Sequence, residues 1–224
     1  MPRSPRLARA PRPLSPRHMP QELWIPNGVY RRLGMKVGIP TVAGEACDML
    51  QQVSKIYVYN LSRACIAIAH GAKRSVIDVE NMKIALNTMN LKLVGDAPLK
   101  LEKCPRIKKK RIAGKLNEVL QPSRAECVET APGTYKKLFK GQLSKMAPTL
   151  GLKISTEALN MSQLVHEDLL MRVLQNAAHV LLSCGGKKKT VKLQHVLAAS
   201  KIMNHPSMYG LEELVDPRMR ILRK

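Results

Sequence analysis

Acidic residues are scarce in this chain: 16 Asp and Glu stand against 38 Lys and Arg over 224 residues, a formal net charge of +22. Self-repulsion of that size destabilises a compact state unless a polyanion neutralises it, so nucleic acid or an anionic membrane surface is the expected partner. Aromatic residues are only 3% of the chain, with one Trp and one Phe, which argues against an aromatic platform for stacking single-stranded bases. Long hydrophobic runs are missing too. None approaches the ~20 residues that span a bilayer, and the Pro- and Arg-rich beginning lacks the apolar stretch of a secretory signal. The membrane is therefore the weaker candidate. The five cysteines (Cys47, Cys65, Cys104, Cys127 and Cys184) are odd in number, widely spaced and without a CxxC pair. They fit reduced, packed thiols of a cytosolic or nuclear protein better than a disulfide framework. With His and Cys scattered away from ligand spacing, no metal and no cofactor is expected. No nucleophile–base pair or carboxylate dyad stands out, so an enzyme is not expected either.

What the chain does contain is a pattern used twice. Residues 1–22 alternate Pro and Arg with no acid before Glu22, a composition too poor in apolar residues to offset chain entropy, and read as a disordered basic arm. In 23–90, "PNGVYRRLGMK" starts a short helix at Pro26, and "VGIPTV" is an extended loop. Apolar residues then recur at Ala46, Leu50, Val53, Tyr57, Leu61, Ala64 and Ile68, in steps of three and four. Such a helix runs roughly 40 Å at ~1.5 Å per residue and needs a partner of equal length to cover its apolar face. The basic joint "AHGAKRSV" follows, and Asp78 is placed to cap a third helix carrying Val79, Met82 and Leu86. Residues 91–133, rich in Lys, Arg and Pro, read as a basic linker, with one short helix over 112–120. Its "KKKR" at 108–111 is either a nuclear localisation element or a solvated charge run.

From Thr134 to 204 the plan returns: "TYKKLFKGQLSKM", the loop "APTLGLKIS", and a long helix with Ala158, Met161, Val165, Leu169, Val173, Ala177, Val180 and Cys184 on one face, capped by Ser155. The joint "GGKKKTV" and a last short helix complete it, and residues 205–224 form a C-terminal extension. Laying Lys73-Arg74 over Lys187-Lys188 also lays Ala64 over Ala178, as expected of two copies of one supersecondary unit. The twelve Met and the helical Cys are expected to fill the core.

Short helix, long helix, short helix is the pattern of the histone fold, and the residues carry the resemblance further. "YRRLGMKVG" and "AKRSVIDVENMKIAL" resemble the H-four core histone, with H-two-A a rival for this half. "TYKKLFK", "LGLKISTEAL", "HEDLLMRVLQNAA" and "KKKTVKLQHVLAA" resemble H-two-B. Two core histones in one chain resemble the histone doublets encoded by certain large DNA viruses. The resemblance implies an all-α fold in which two histone folds pair head to tail as an intramolecular pseudo-heterodimer. It places Lys73-Arg74 beside Lys153, and Lys187-Lys188-Lys189 beside the 36–41 segment, with Arg31, Arg32, Lys36, Lys136 and Lys137 completing a duplex-binding surface. The implied partners are double-stranded DNA and other histones or doublets in a nucleosome-like particle, in the nucleus or in a viral factory or virion. One such pair would engage on the order of 30 bp, bending DNA without reading bases. A histone-fold subunit of a transcription or chromatin regulatory complex is the alternative. The chain departs from the pattern at Thr41, where the H-four family has an arginine, at Lys192, where a Ser or Thr cap is usual, and in lacking a clustered acidic patch.

Overall fold

A computed structural model describes residues 25–91, 98, 100–104, 127–183 and 190–203. The arm, the expected helix over 112–120, the 108–111 run and the C-terminal extension lie outside them. The described residues hold six helices and six two-residue strands, in the order α1 Asn27–Lys36, β1 Thr41–Val42, α2 Gly44–Gly71, β2 Val76–Ile77, α3 Val79–Thr88, β3 Glu102–Lys103, β4 Cys127–Val128, α4 Pro132–Met146, β5 Lys153–Ile154, α5 Thr156–Ser183, β6 Thr190–Val191 and α6 Leu193–Met203. The short strands depart from a purely helical fold. Two of their three parallel ladders tie the halves together, β1 to β6 and β2 to β5. Each joins the loop after the short first helix of one half to the loop after the long helix of the other.

The first three helices end alike, and only the third begins on a side-chain cap. At the end of α1, Gly38 takes φ +83° and Ile39 N–H reaches back to Gly34 O at 2.8 Å. The ends of α2 and α3 repeat this bond, from Arg74 N–H to Ala69 O and from Leu91 N–H to Leu86 O, both 2.9 Å. This is the Schellman closure, which favours glycine at the left-handed position. Here Lys73 (φ +51°) and Asn90 (φ +55°) hold that position instead. For its start, α3 uses Asp78, whose Oδ1 accepts from Asn81 N–H at 2.9 Å. At α6 no Ser or Thr is available, and the His195 ring Nδ1 accepts from Lys192 N–H at 3.0 Å. A residue three positions in thus reaches back to the cap, as Glu or Gln does in a capping box. Burial, and then the nearby Lys192 charge, hold His195 below its ordinary pKa, which keeps that nitrogen an acceptor. Asp78→Ala is expected to cost about 1 kcal/mol, read as a lower urea midpoint with unchanged slope.

One core spans both halves. Leu50, Val53, Tyr57, Leu61 and Cys65 on α2 and Ala158, Met161, Val165, Leu169, Val173 and Ala177 on α5 are all buried in a single cluster. Tyr57 Oη donates to Ser162 O across the two long helices at 2.8 Å. The helical spacing therefore marks the buried face well, although Ala64, Ile68 and Val180 are only half-buried. Not every methionine fills the core: Met35 is 46% exposed.

The stretch read as linker packs at both described ends, and α4 begins at Pro132, where proline in the first turn costs nothing. Leu91, Leu101 and Val128 are buried, β3 pairs with β4, and Glu129 and Thr130 are covered. A polar stripe on α5 holds this strap. Asn160 Nδ2 donates to Pro98 O (3.0 Å), Gln163 Nε2 donates to Thr130 O (2.8 Å), and the Glu167 carboxylate accepts from Glu129 N–H (2.9 Å) and Thr130 N–H (2.7 Å). Apolar periodicity is blind to such a contact, because the side chains that make it are amides and a carboxylate.

Candidate nucleic-acid interface

The parallel ladders decide which basic residues meet. In the β2–β5 ladder Val76 stands opposite Lys153, and Lys153 N–H donates to Ser75 O at 2.9 Å. The Lys73-Arg74 joint, which leads directly into β2, therefore lies at the same end of the molecule as Lys153, and all three residues are exposed. Arg74 Nη1 is also paired with Asp78 Oδ2 at 2.6 Å, in an exposed contact. Such surface pairs are worth little and yield readily to a stronger anion. Lys73 is the sharper case. A lysine in the left-handed region costs about 1–2 kcal/mol that glycine would avoid, so the chain keeps a cation where the backbone would favour none.

In the β1–β6 ladder Thr41 stands opposite Thr190, and Ala43 N–H donates to Val191 O at 2.9 Å. Lys187, Lys188 and Lys189 lie outside the described residues, immediately before β6. Exposed Lys192 follows β6 directly and is a cation at this end that sequence reading treated only as a helix start.

On the short first helices, Arg31 on α1 and Lys136 and Lys137 on α4 are exposed. Arg31 lies close enough to the buried Cys47 thiol to oppose the upward push of burial on it. Arg32 and Lys36 sit differently from their neighbour. Arg32 Nε donates to Glu129 Oε2 at 2.5 Å and its Nη2 to Glu129 O at 3.1 Å. Lys36 Nζ pairs with Glu129 Oε1 at 3.1 Å and donates to Cys104 Sγ at 3.3 Å. Burial pushes the Glu129 carboxyl up, but the Arg32 and Lys36 cations outweigh it and hold the group below its ordinary value. Burial likewise opposes the Lys36 charge, and Cys104 and Glu129 overcome it, leaving the lysine pKa raised. Sequence reading missed Glu129, since one acid in a basic stretch carries no spacing signal.

The chemistry on offer is therefore anion binding by exposed guanidinium and ammonium groups set on helices and at two cross-half ladders. Among the described residues no group of three His, Cys, Asp or Glu side chains could hold a metal ion, and no helix is long and apolar enough to cross a membrane.

By sequence the chain matches no family model and no curated protein. Its structure is similar to that of a histone from Methanopyrus kandleri, with a TM-score of 0.54 over 84% of this chain and 99% of that one, at 14% identity. At that identity the likeness is one of fold: these helices are arranged as in a histone.

Proposed function

We propose that this chain is a DNA-packaging histone doublet, two histone folds at 23–90 and 134–204 joined in one polypeptide and paired with each other. It binds and bends duplex DNA without base specificity and assembles with other histones or doublets into a nucleosome-like particle, as a non-enzymatic component of viral or nuclear chromatin. The observation that carries this reading is the β2–β5 ladder, which brings the exposed Lys73-Arg74 joint of one half to Lys153 of the other. Arg31, Lys136 and Lys137 on α1 and α4 and the Lys187-Lys188-Lys189 joint complete the proposed surface. Arg32 and Lys36 belong to it too, subject to Glu129. Covalent linkage makes the pairing of the halves intramolecular and therefore independent of protein concentration. The net charge of +22 supplies the long-range attraction to a polyanion.

Affinity for mixed-sequence duplex is expected to fall steeply with salt, by a log–log slope of about 0.9 per phosphate neutralised. Lys73→Gly tests one cation cleanly, because it relieves the left-handed backbone while removing the charge. It should keep or raise thermal stability and lower the slope by about one. Nuclease digestion of bulk DNA bound to the protein should leave a protected ladder. Protection at a single sequence would favour the regulatory-subunit reading instead, and an unchanged slope in Lys73→Gly would remove this joint from the interface.

A further inference from the structure

The Arg32–Lys36–Glu129 cluster is built like an occupied anion site. Its two cations stand four residues apart on α1 and so project from one helix face. Three donors converge on a single residue: both carboxylate oxygens are engaged, and the second arm of the guanidinium takes the backbone carbonyl of the same residue. A guanidinium fork with an ammonium beside it is also the arrangement that receives the two free oxygens of a phosphate diester. Exposure is lopsided. The Arg32 and Lys36 side chains are 29% and 30% exposed, while the Glu129 side chain is only 6% exposed. Beneath them, the Glu129 backbone N–H is fixed by the Glu167 carboxylate on α5. The acid is therefore held in place by the second half, and the two long, flexible cations are the partners free to turn outward. Arg31, one residue away, is exposed on the same helix and is not held by this acid.

We infer that Glu129 competes with duplex phosphate for Arg32 and Lys36, so that the strap leading into the second half sets how many cations α1 presents to DNA. The identity of the competing anion rests on the DNA-packaging reading; the competition itself does not. With Glu129 in place, two positive charges at the α1 edge are offset by one negative charge fixed below them. Neutralising that acid leaves Arg32, and Lys36 with only its Cys104 thiol contact, for an external anion.

The test compares salt dependence of binding to a mixed-sequence 30-bp duplex for wild type, Glu129→Gln, the pair Arg32→Ala with Lys36→Ala, and the triple variant. Glutamine retains acceptor and shape at position 129, and circular dichroism melts confirm that each protein is folded. Glu129→Gln should steepen the log–log slope by about one to two, at about 0.9 per phosphate gained. The Arg32/Lys36 pair should change the wild-type slope little and abolish the gain in the Glu129→Gln background. If the pair alone flattens the wild-type slope by two, or if Glu129→Gln leaves the slope unchanged, the competition is refuted. A second arm uses inorganic phosphate alone: it should raise the melting temperature of Glu129→Gln more than that of wild type, a difference lost in the triple variant. Equal effects on all three proteins refute the competition. A positive phosphate arm with no salt-dependent duplex binding by wild type would refute the DNA reading and leave the anion site standing.

Discussion

Replacing Tyr57 by alanine is expected to loosen both halves of the protein at once. The side chain is fully buried near the middle of α2, its ring stacks on His166 of α5 at 4.9 Å, and its hydroxyl donates to Ser162 O. Removing a buried aromatic of this size costs about 3–5 kcal/mol through lost burial and the cavity left behind. That is a large fraction of the ~5–15 kcal/mol that holds an ordinary domain folded. Tyr57→Phe, which keeps the ring and loses only the hydroxyl, should cost about 1 kcal/mol. The effect should not stay in the first half, because α1 packs on α5 and α4 packs on α2, so each half supplies part of the other's core. Hydrogen exchange of the Tyr57→Ala protein should therefore show amides of α2 and α5 losing protection together. Retained protection in α5 with loss confined to α2 would mean that the halves fold independently and that the shared core is not what stabilises them.

The same interdependence explains what could be read from the sequence. An apolar stripe held for more than six turns in each of two segments demands a partner of equal length, and burial of Leu50, Tyr57, Leu61, Met161, Leu169 and Val173 meets that demand. The cap at Asp78 is a local contact within four residues and was legible for that reason. The repeat of loop and joint was legible as well, and the head-to-tail pairing that the resemblance implies sets each first loop at the partner's second joint, where the unexpected parallel ladders form. What stayed hidden is long-range and polar. Gln163 and Glu167 look like ordinary breaks in an apolar stripe, yet they hold the strap through Glu129 and Thr130. Arg32 and Lys36 look like surface charges equivalent to Arg31, and only the fold puts an acid 97 residues away from Arg32 beneath them. For the candidate interface, then, the sequence indicates where cations concentrate, whereas the folded chain determines which of them already have an anion.

Acid should unfasten the shared core from its centre. His166 is fully buried, lies between Tyr57 and Tyr135 with ring centroids at 4.9 and 5.6 Å, and among the described residues has no hydrogen-bond partner on either ring nitrogen. Burial drives its pKa from an ordinary 6.5 down to about 3, so the folded protein holds the neutral ring. The unfolded chain binds a proton on this ring below about pH 6.5, and the folded chain does so only near pH 3. Stability from this group is therefore intact above pH 6.5 and declines as the pH falls, by about 1.4 kcal/mol per unit. The loss reaches on the order of 5 kcal/mol by pH 3. His195, also held below its ordinary value, adds in the same direction, and Glu129 joins once the pH falls below the ordinary carboxylate value. Glu167 opposes them: burial raises its pKa despite the two backbone N–H groups it accepts from, so protonation on acidification relieves part of the strain. Substituting leucine for His166 isolates the imidazole from these neighbours. Two unpartnered buried nitrogens disappear, so neutral-pH stability should rise by about 1–3 kcal/mol. Between pH 6.5 and 4.5 the urea midpoint should fall less steeply in His166→Leu, where only His195 still titrates in that direction, than in wild type. Parallel pH profiles for the two proteins would show that the ring is not the acid-sensitive element, and would shift that role to His195 at the start of α6.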